Sequence, residues 1–203
     1  VLITFASEIF YKKMNTVSMS TKTYTGIPTP KILLWIAMVS MVMVFAGLTS
    51  GYLVRQAEGN WTVFSLPVAF YVSTGLIVLS SFSMHYALRS IKKGNTQHLL
   101  YGLLVTLGLG LGFCFTQFLG WAKLVEMGIY FTGNPSGSFL YVITALHVAH
   151  LAGGIIYLTA VIVRALQNRY SSDNFLPVSL ISIYWHFLDI LWVYLFVFLA
   201  VMR

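Results

Sequence analysis

The chain has 203 residues, of which 58% are hydrophobic and only 8% charged, with a mean hydropathy of +0.83. Soluble domains carry about a quarter charged residues, so a soluble globular domain is excluded. The formal net charge of +7 would suit a nucleic-acid binder, but the basic residues cluster between apolar runs, which points to membrane topology instead.

The first 30 residues read as a polar, Ser/Thr-rich tail without a short apolar core and small-residue cleavage site, so no cleaved signal is expected; Met14 and Met19 offer alternative start positions. Five apolar runs follow, near 31–54, 66–88, 98–123, 139–164 and 176–202. Each is long enough to cross a hydrocarbon core about 30 Å thick. Barrel strands are shorter and alternate in polarity, so the expected fold is all-α, one integral membrane domain over 31–203. Lys12, Lys13, Lys22 and Lys31 precede the first run, Arg89, Lys92 and Lys93 join runs two and three, and Arg164 and Arg169 join runs four and five. Arg55, Lys123 and Arg203 lie at the opposite ends, nine charges against three. The positive-inside rule then places the N-terminus in the cytoplasm and the C-terminus outside.

The connections are short and carry turn chemistry. Gly59-Asn60 follows run one, Pro67 opens run two, and Gly94-Asn95 reads as a helix stop after it. Gly133-Asn134-Pro135 marks a surface loop before run four, and Ser171–Asn174 reads as a polar cap ahead of Pro177. Loops this short predict consecutive helices as antiparallel neighbours in an up-down bundle. In run three, Gly108 and Gly112 share a face and suggest close helix packing, as do Gly153 and Gly154 in run four. No longer internal repeat of the kind transporters use is present. Cys114, the single cysteine, reads as a small buried apolar residue. Glu58 and Glu126 fall in outer loops, and Trp61, Trp121, Tyr130 and Phe131 suit an interfacial aromatic belt.

The chemistry-bearing residues concentrate in the last third. His147 and His150 are three apart on run four, and His186 and Asp189 are three apart on run five, so each pair shares a helix face. By a rise of about 1.5 Å per residue, His150 lies roughly 17 Å and Asp189 roughly 20 Å from the outer end. Similar depth predicts a polar cluster in which Asp189 accepts a hydrogen bond from an imidazole of run four. Gln117 is a further polar residue within run three. Ionisable groups are costly in lipid and face protein or water, which favours an interhelical polar lock. Haem ligation, a metal site of His147, His150, His186 and Asp189, and a proton path stand beside it as alternatives. His85 and His98 fall near the inner surface with Arg89 and Lys92, where lipid headgroups are the expected contacts. No phosphate loop, nucleophile elbow or paired carboxylates are present, so no catalytic residue is assigned.

Two motifs then give a family resemblance. Trp185-His186-Phe187-Leu188-Asp189-Ile190-Leu191-Trp192 resembles the W-H-F-x-D-x-x-W signature of subunit III of haem–copper terminal oxidases. His147-x-x-His150 followed by Gly153 and Gly154 resembles that family's H-x-x-H-x-x-x-G motif in the preceding helix. Ser80-Ser81 and Gln117 also sit where the family has them, so the resemblance spans about 31–202. It implies a five-helix accessory subunit of a bacterial respiratory oxidase, in the inner membrane, of the cytochrome c type rather than the quinol type. The complex would reduce oxygen and translocate protons. The resemblance also implies that the chain holds no haem or copper of its own, these residing in partner subunits. It would stabilise the catalytic subunit I beside other oxidase subunits, with a larger respiratory supercomplex as a further assembly, and bind phospholipid. On this view His147, His150, His186, Asp189 and Gln117 form a structural polar core, and His85, Arg89, Lys92, Lys93, His98, Arg164 and Arg169 meet lipid headgroups. Alternatives are the homologous accessory subunit of a nitric oxide reductase and a free-standing haem- or metal-binding membrane protein. The sequence departs from the family at Met41 and Gly120, where family members often carry intramembrane carboxylates. Proton roles assigned to those carboxylates do not transfer, which weighs toward a structural, lipid-holding subunit.

Overall fold

A computed structural model describes residues 28–171 and 174–202. The expected polar tail falls almost wholly outside the described residues, as do Lys12, Lys13, Lys22, Arg203 and the Ser172-Asp173 part of the expected cap. The bundle belongs to the unit that begins at Leu34.

Among the described residues are five helices, each long and apolar enough to span a membrane: α1 Thr29–Ala57, α2 Val68–Lys92, α3 Thr96–Glu126, α4 Pro135–Leu166 and α5 Leu176–Val201. They overrun the apolar spans by a turn at several ends, because local caps and not hydropathy stop them. Gly94, at φ +75°, ends α2; its amide and that of Asn95 return to Ile91 and Ser90. The Asn95 side chain then accepts from the His98 amide at 3.2 Å and starts α3. Gly128 (φ +77°) closes α3 in the same way, and Asn134 caps α4 from the Ser136 amide at 3.0 Å, with Pro135 at the first position. At α5 the expected polar cap is not the cap: Phe175 holds that position without a side-chain bond. Pro177 lies in the first turn, where its missing amide costs nothing.

The helices α2, α3, α4 and α5 close a ring of antiparallel neighbours, α5 returning to α2. Glycines set its tightest approaches. A Cβ on Gly102 would stand 2.7 Å from Ala87 Cβ, one on Gly120 2.8 Å from Phe70, and one on Gly110 2.9 Å from the Trp185 ring. The expected pair does not do this: Gly108 has open space beside it and Gly112 only ordinary contact with Leu76. Period alone places residues on a face without saying whether that face meets protein or lipid. Gly154, but not Gly153, meets a neighbour, Tyr184 of α5 at 3.1 Å.

The first helix departs from the expected order of neighbours. From Leu34 onward, α1 makes no close backbone approach to any other described helix. It lies against α4 and α5 rather than α2, held by large side chains. Phe45 meets the rings of His147 and His150, and Tyr52 meets Phe139 and Phe198. The Tyr52 hydroxyl and the Gln56 amide both donate to the Met202 carbonyl, at 3.2 and 2.8 Å. The ten-residue link Glu58–Pro67 is long enough to let α1 sit away from α2. It is pinned by Asn134, whose amide donates to the Asn60 carbonyl at 3.1 Å and whose Oδ1 accepts from the Thr62 amide at 3.3 Å.

Candidate functional site

The polar residues of α5 make a ladder with α2. The indole of Trp185 donates to Ser80 Oγ at 2.9 Å, and that of Trp192 to Thr74 Oγ1 at 3.0 Å. Positions seven apart share a helix face, and on antiparallel α2 their partners run in reverse order. Next to the first rung, Ser81 Oγ lies 2.6 Å from His186 Nδ1. Both tryptophans are fully buried. Trp185 occupies the room left by Gly110, and Trp192 packs edge-on to Phe113 with ring centroids 4.9 Å apart. A ladder of this kind fixes the register and rotation of α5 against α2. Sequence reading singled out the motif and Ser80-Ser81 but did not pair them. The signal was present, since Thr74 and Ser80 lie six apart, within a turn of the tryptophan spacing.

The expected bond from an α4 imidazole to Asp189 does not form. The depth arithmetic matches level but not rotation about the helix axis. Tyr184 and Leu188 take the α5 face toward Gly154 of α4, leaving His186 and Asp189 on the α2 side. His147 is instead fully buried among Phe45, Phe113 and Trp192, with ring centroids 6.5, 5.8 and 4.9 Å away. Among the described residues neither of its nitrogens has a hydrogen-bond partner, and the same holds for the fully buried Gln117 amide. His150, half-buried, bonds through Nδ1 to the Leu146 carbonyl of its own helix at 2.8 Å, while the Tyr184 hydroxyl donates to the His150 carbonyl. The five residues of the expected polar core are therefore divided. His147, Gln117 and Asp189 are buried, whereas His150 and His186 stand at the margin on different sides.

Asp189 is 3% exposed, and its carboxyl oxygens make no hydrogen bond of ordinary geometry. Ser81 lines the same pocket as Asp189. Beside this pair, His186, His85, Phe82 and Ile190 line an open groove of about 400 Å³ between α2 and α5. His85 is exposed; its ring lies 6.2 Å from that of His186, about 10 Å inside the end of α2. Among the described residues, no three His, Cys, Asp or Glu side chains are grouped so as to hold a metal ion.

The residues expected at lipid headgroups, His85 apart, share one end of the bundle. Arg89 and Lys92 end α2, Lys93 follows it, His98 lies in the first turn of α3, and Arg164 ends α4 with Arg169 in the next loop. His98 Nδ1 is 2.7 Å from the Tyr86 hydroxyl. In the same loop Tyr170 is buried; burial pushes its hydroxyl above the ordinary tyrosine range while the Arg164 guanidinium pulls it down. At the opposite end Arg55 pairs with Glu58 at 2.9 Å and Lys123 with Glu126 at 2.7 Å. That end carries neutralised cations, which sharpens the charge asymmetry.

Comparison with known proteins places these features in one family. Residues 34–202 match the family described as cytochrome c oxidase subunit III. A probable cytochrome c oxidase subunit 3 of Nocardia farcinica is 32% identical over 170 residues, covering 81% of this chain and 82% of that protein. The cytochrome c oxidase subunit 3 of Bacillus sp. (strain PS3) is 28% identical over 170 residues, 80% of each chain. A probable quinol oxidase subunit 3 of Staphylococcus saprophyticus is 24% identical over 172 residues, covering 82% and 85%.

Proposed function

Because the chain belongs to the cytochrome c oxidase subunit III family, we propose that it is the accessory third subunit of a bacterial cytochrome c oxidase. In this reading it carries no catalytic residue and no redox centre, and it stabilises a partner, subunit I, that holds haem and copper. The observation that carries the proposal is the ladder Trp185–Ser80, His186–Ser81 and Trp192–Thr74. It spends Trp185, His186 and Trp192 of the family-like motif on holding α5 to α2. The cytochrome c type is favoured over the quinol type because a relative so named shares 32% identity against 24% for the quinol relative.

The charge asymmetry supports an N-terminus in the cytoplasm and a five-span chain in the inner membrane. The basic end, with Arg89, Lys92, Lys93, His98, Arg164 and Arg169, suits phospholipid phosphates, each cation near an anionic surface contributing about 1 kcal/mol. The complex would translocate protons through its partner subunits. Affinity purification of the tagged chain in mild detergent tests the assignment, read by visible spectrum and mass spectrometry. Haem bands should accompany a large oxidase subunit and vanish when this chain is isolated alone. Stoichiometric haem or metal in the isolated chain would overturn it.

A further inference from the structure

Gln117 and His147 are both fully buried, and among the described residues none of the four polar atoms of their side chains has a hydrogen-bond partner. The contacts on either side bring the two to one level. Phe113, Gln117 and Trp121 are four apart in turn and share a face of α3. Phe113 packs edge-on to the His147 ring, with centroids 5.8 Å apart, and the Trp121 indole donates to Thr144 Oγ1 at 3.0 Å. Gln117 therefore lies between two contacts with α4, opposite the turn that carries Thr144 and His147. Toward α2, Gly120 approaches Phe70 and Gly112 approaches Leu76, which sets Gln117 level with the buried Ser73. This polar layer lies about 14 Å inside the C-terminal end of α3.

The protons of this layer do not suffice for its acceptors. Ser73 Oγ donates to the Phe70 carbonyl at 2.9 Å and Thr144 Oγ1 to the Leu140 carbonyl at 2.8 Å. The neighbouring Trp121 and Trp192 indoles are spent on Thr144 and Thr74. A neutral imidazole has one N–H and one bare nitrogen, and these point to opposite sides of the ring. If the imidazole N–H donates to Gln117 Oε1, the bare nitrogen has no donor. If the glutamine amide donates to the bare nitrogen, Oε1 has none instead. Charging the ring would remove the bare nitrogen, but among the described residues no carboxylate pairs with His147. A buried cation without a counter-charge is costlier than an unmet acceptor. Neither lipid nor another helix reaches side chains with no exposed surface. We propose that one ordered water molecule bridges Gln117 and His147, donating one proton to Oε1 and the other to the bare imidazole nitrogen. Buried waters have two to four polar partners, and Ser73 and Thr144 keep lone pairs for the remaining amide and imidazole protons. The water completes a polar lock between α3 and α4 that the two side chains do not make alone. The site lies wholly within this chain and does not depend on the oxidase reading.

The test is a density map of the complex that holds this chain, at a resolution that shows ordered water. The expected result is a peak within about 3 Å of both Gln117 Oε1 and one imidazole nitrogen of His147. A direct Gln117–His147 bond, or side chains packed with no peak between them, would overturn the bridge. Nitrogen NMR of the full chain, labelled at histidine and held in lipid, gives a second readout. His147 should appear as a neutral ring whose bare nitrogen receives magnetisation from water, and a doubly protonated ring would overturn the proposal. Gln117→Leu removes one end of the bridge. The water-to-His147 signal should then fall at least threefold while the ring state of His150 is unchanged. An undiminished signal would mean that the water does not bridge to Gln117, and would overturn the assignment. If the variant fails to fold, the map and the ring state of the unaltered chain decide the question.

Discussion

Two attachments in this bundle are built on opposite plans. Where α5 meets α2, small residues nearby let large rings enter, and hydroxyls on α2 receive them at 2.6–3.0 Å. Where α1 meets α4 and α5, the backbones stay apart and aromatic side chains bridge the gap, with ring centroids 5.1–6.5 Å apart. In lipid there is no hydrophobic drive to bring helices together, so packing and hydrogen bonds decide. A hydrogen-bonded ladder specifies one register and rotation. Stacked rings fill space but tolerate sliding, so α1 should be the more separable element.

The largest effect should come from attacking the tight side. Gly110→Val puts a branched side chain where a single Cβ already stands 2.9 Å from the Trp185 ring. The ring must leave, taking its bond to Ser80 with it. Overpacking of this kind costs about 1–3 kcal/mol before the bond is counted, and we expect the variant to lose most of its folded yield. Gly108→Val is the matched control, since that glycine has open space beside it; thermal unfolding in detergent should separate the two.

Next in size is Phe45→Ala on the loose side. Phe45 is 1% exposed and is the side chain through which α1 meets both His147 and His150. Losing its contacts should cost on the order of 2 kcal/mol, below the soluble-core value because lipid replaces part of the contact. The comparison predicts where the loss appears. Hydrogen exchange should rise along α1 from Leu34 to Ala57 while α2 and α5 keep their protection. Uniform loss across all five helices would show that the two attachments are not independent.

The ladder itself is sharpened by a double-mutant cycle of Trp185→Phe with Ser80→Ala. Hydrogen bonds between membrane helices average about 0.6 kcal/mol, with a maximum near 1.7. Burial of Trp185 argues for a coupling of about 1 kcal/mol, read from unfolding of the four proteins. Ser80 keeps a bond to the Ile77 carbonyl at 2.7 Å, so Trp185→Phe does not orphan it, and the cycle reports the rung alone.

What was legible in advance follows the same division. Five spans and their turns could be read because hydropathy, Gly94-Asn95 and Asn134-Pro135 act locally. The depth of His150 and Asp189 could be read from helical rise. Rotation could not, because it depends on which side chains win the interface, and Trp185 and Trp192 won it from Asp189. The position of α1 was also out of reach: short loops favour neighbours, but a ten-residue link does not compel them. The expected bond to Asp189 failed for the first reason and the expected order of neighbours for the second.

The smallest effect should come from a side-chain hydrogen bond that joins α1 to the body of α5. Thr49 Oγ1 lies 3.3 Å from the Tyr194 hydroxyl, and the threonine also bonds back to the Phe45 carbonyl at 3.0 Å. With a carbonyl of its own helix already taking its proton, Thr49 serves Tyr194 as acceptor, and the tyrosine hydroxyl is the donor. Thr49→Val keeps shape and removes the acceptor; Tyr194→Phe removes the donor. Tyr194 is 49% exposed, so neither change strands a buried group, and each should cost no more than about 0.5 kcal/mol. The two losses should be equal and should not add, since both remove the same bond. A cost above 1 kcal/mol for either would mean that α1 is registered by this contact, and that the ring-filled side is more specific than its geometry suggests.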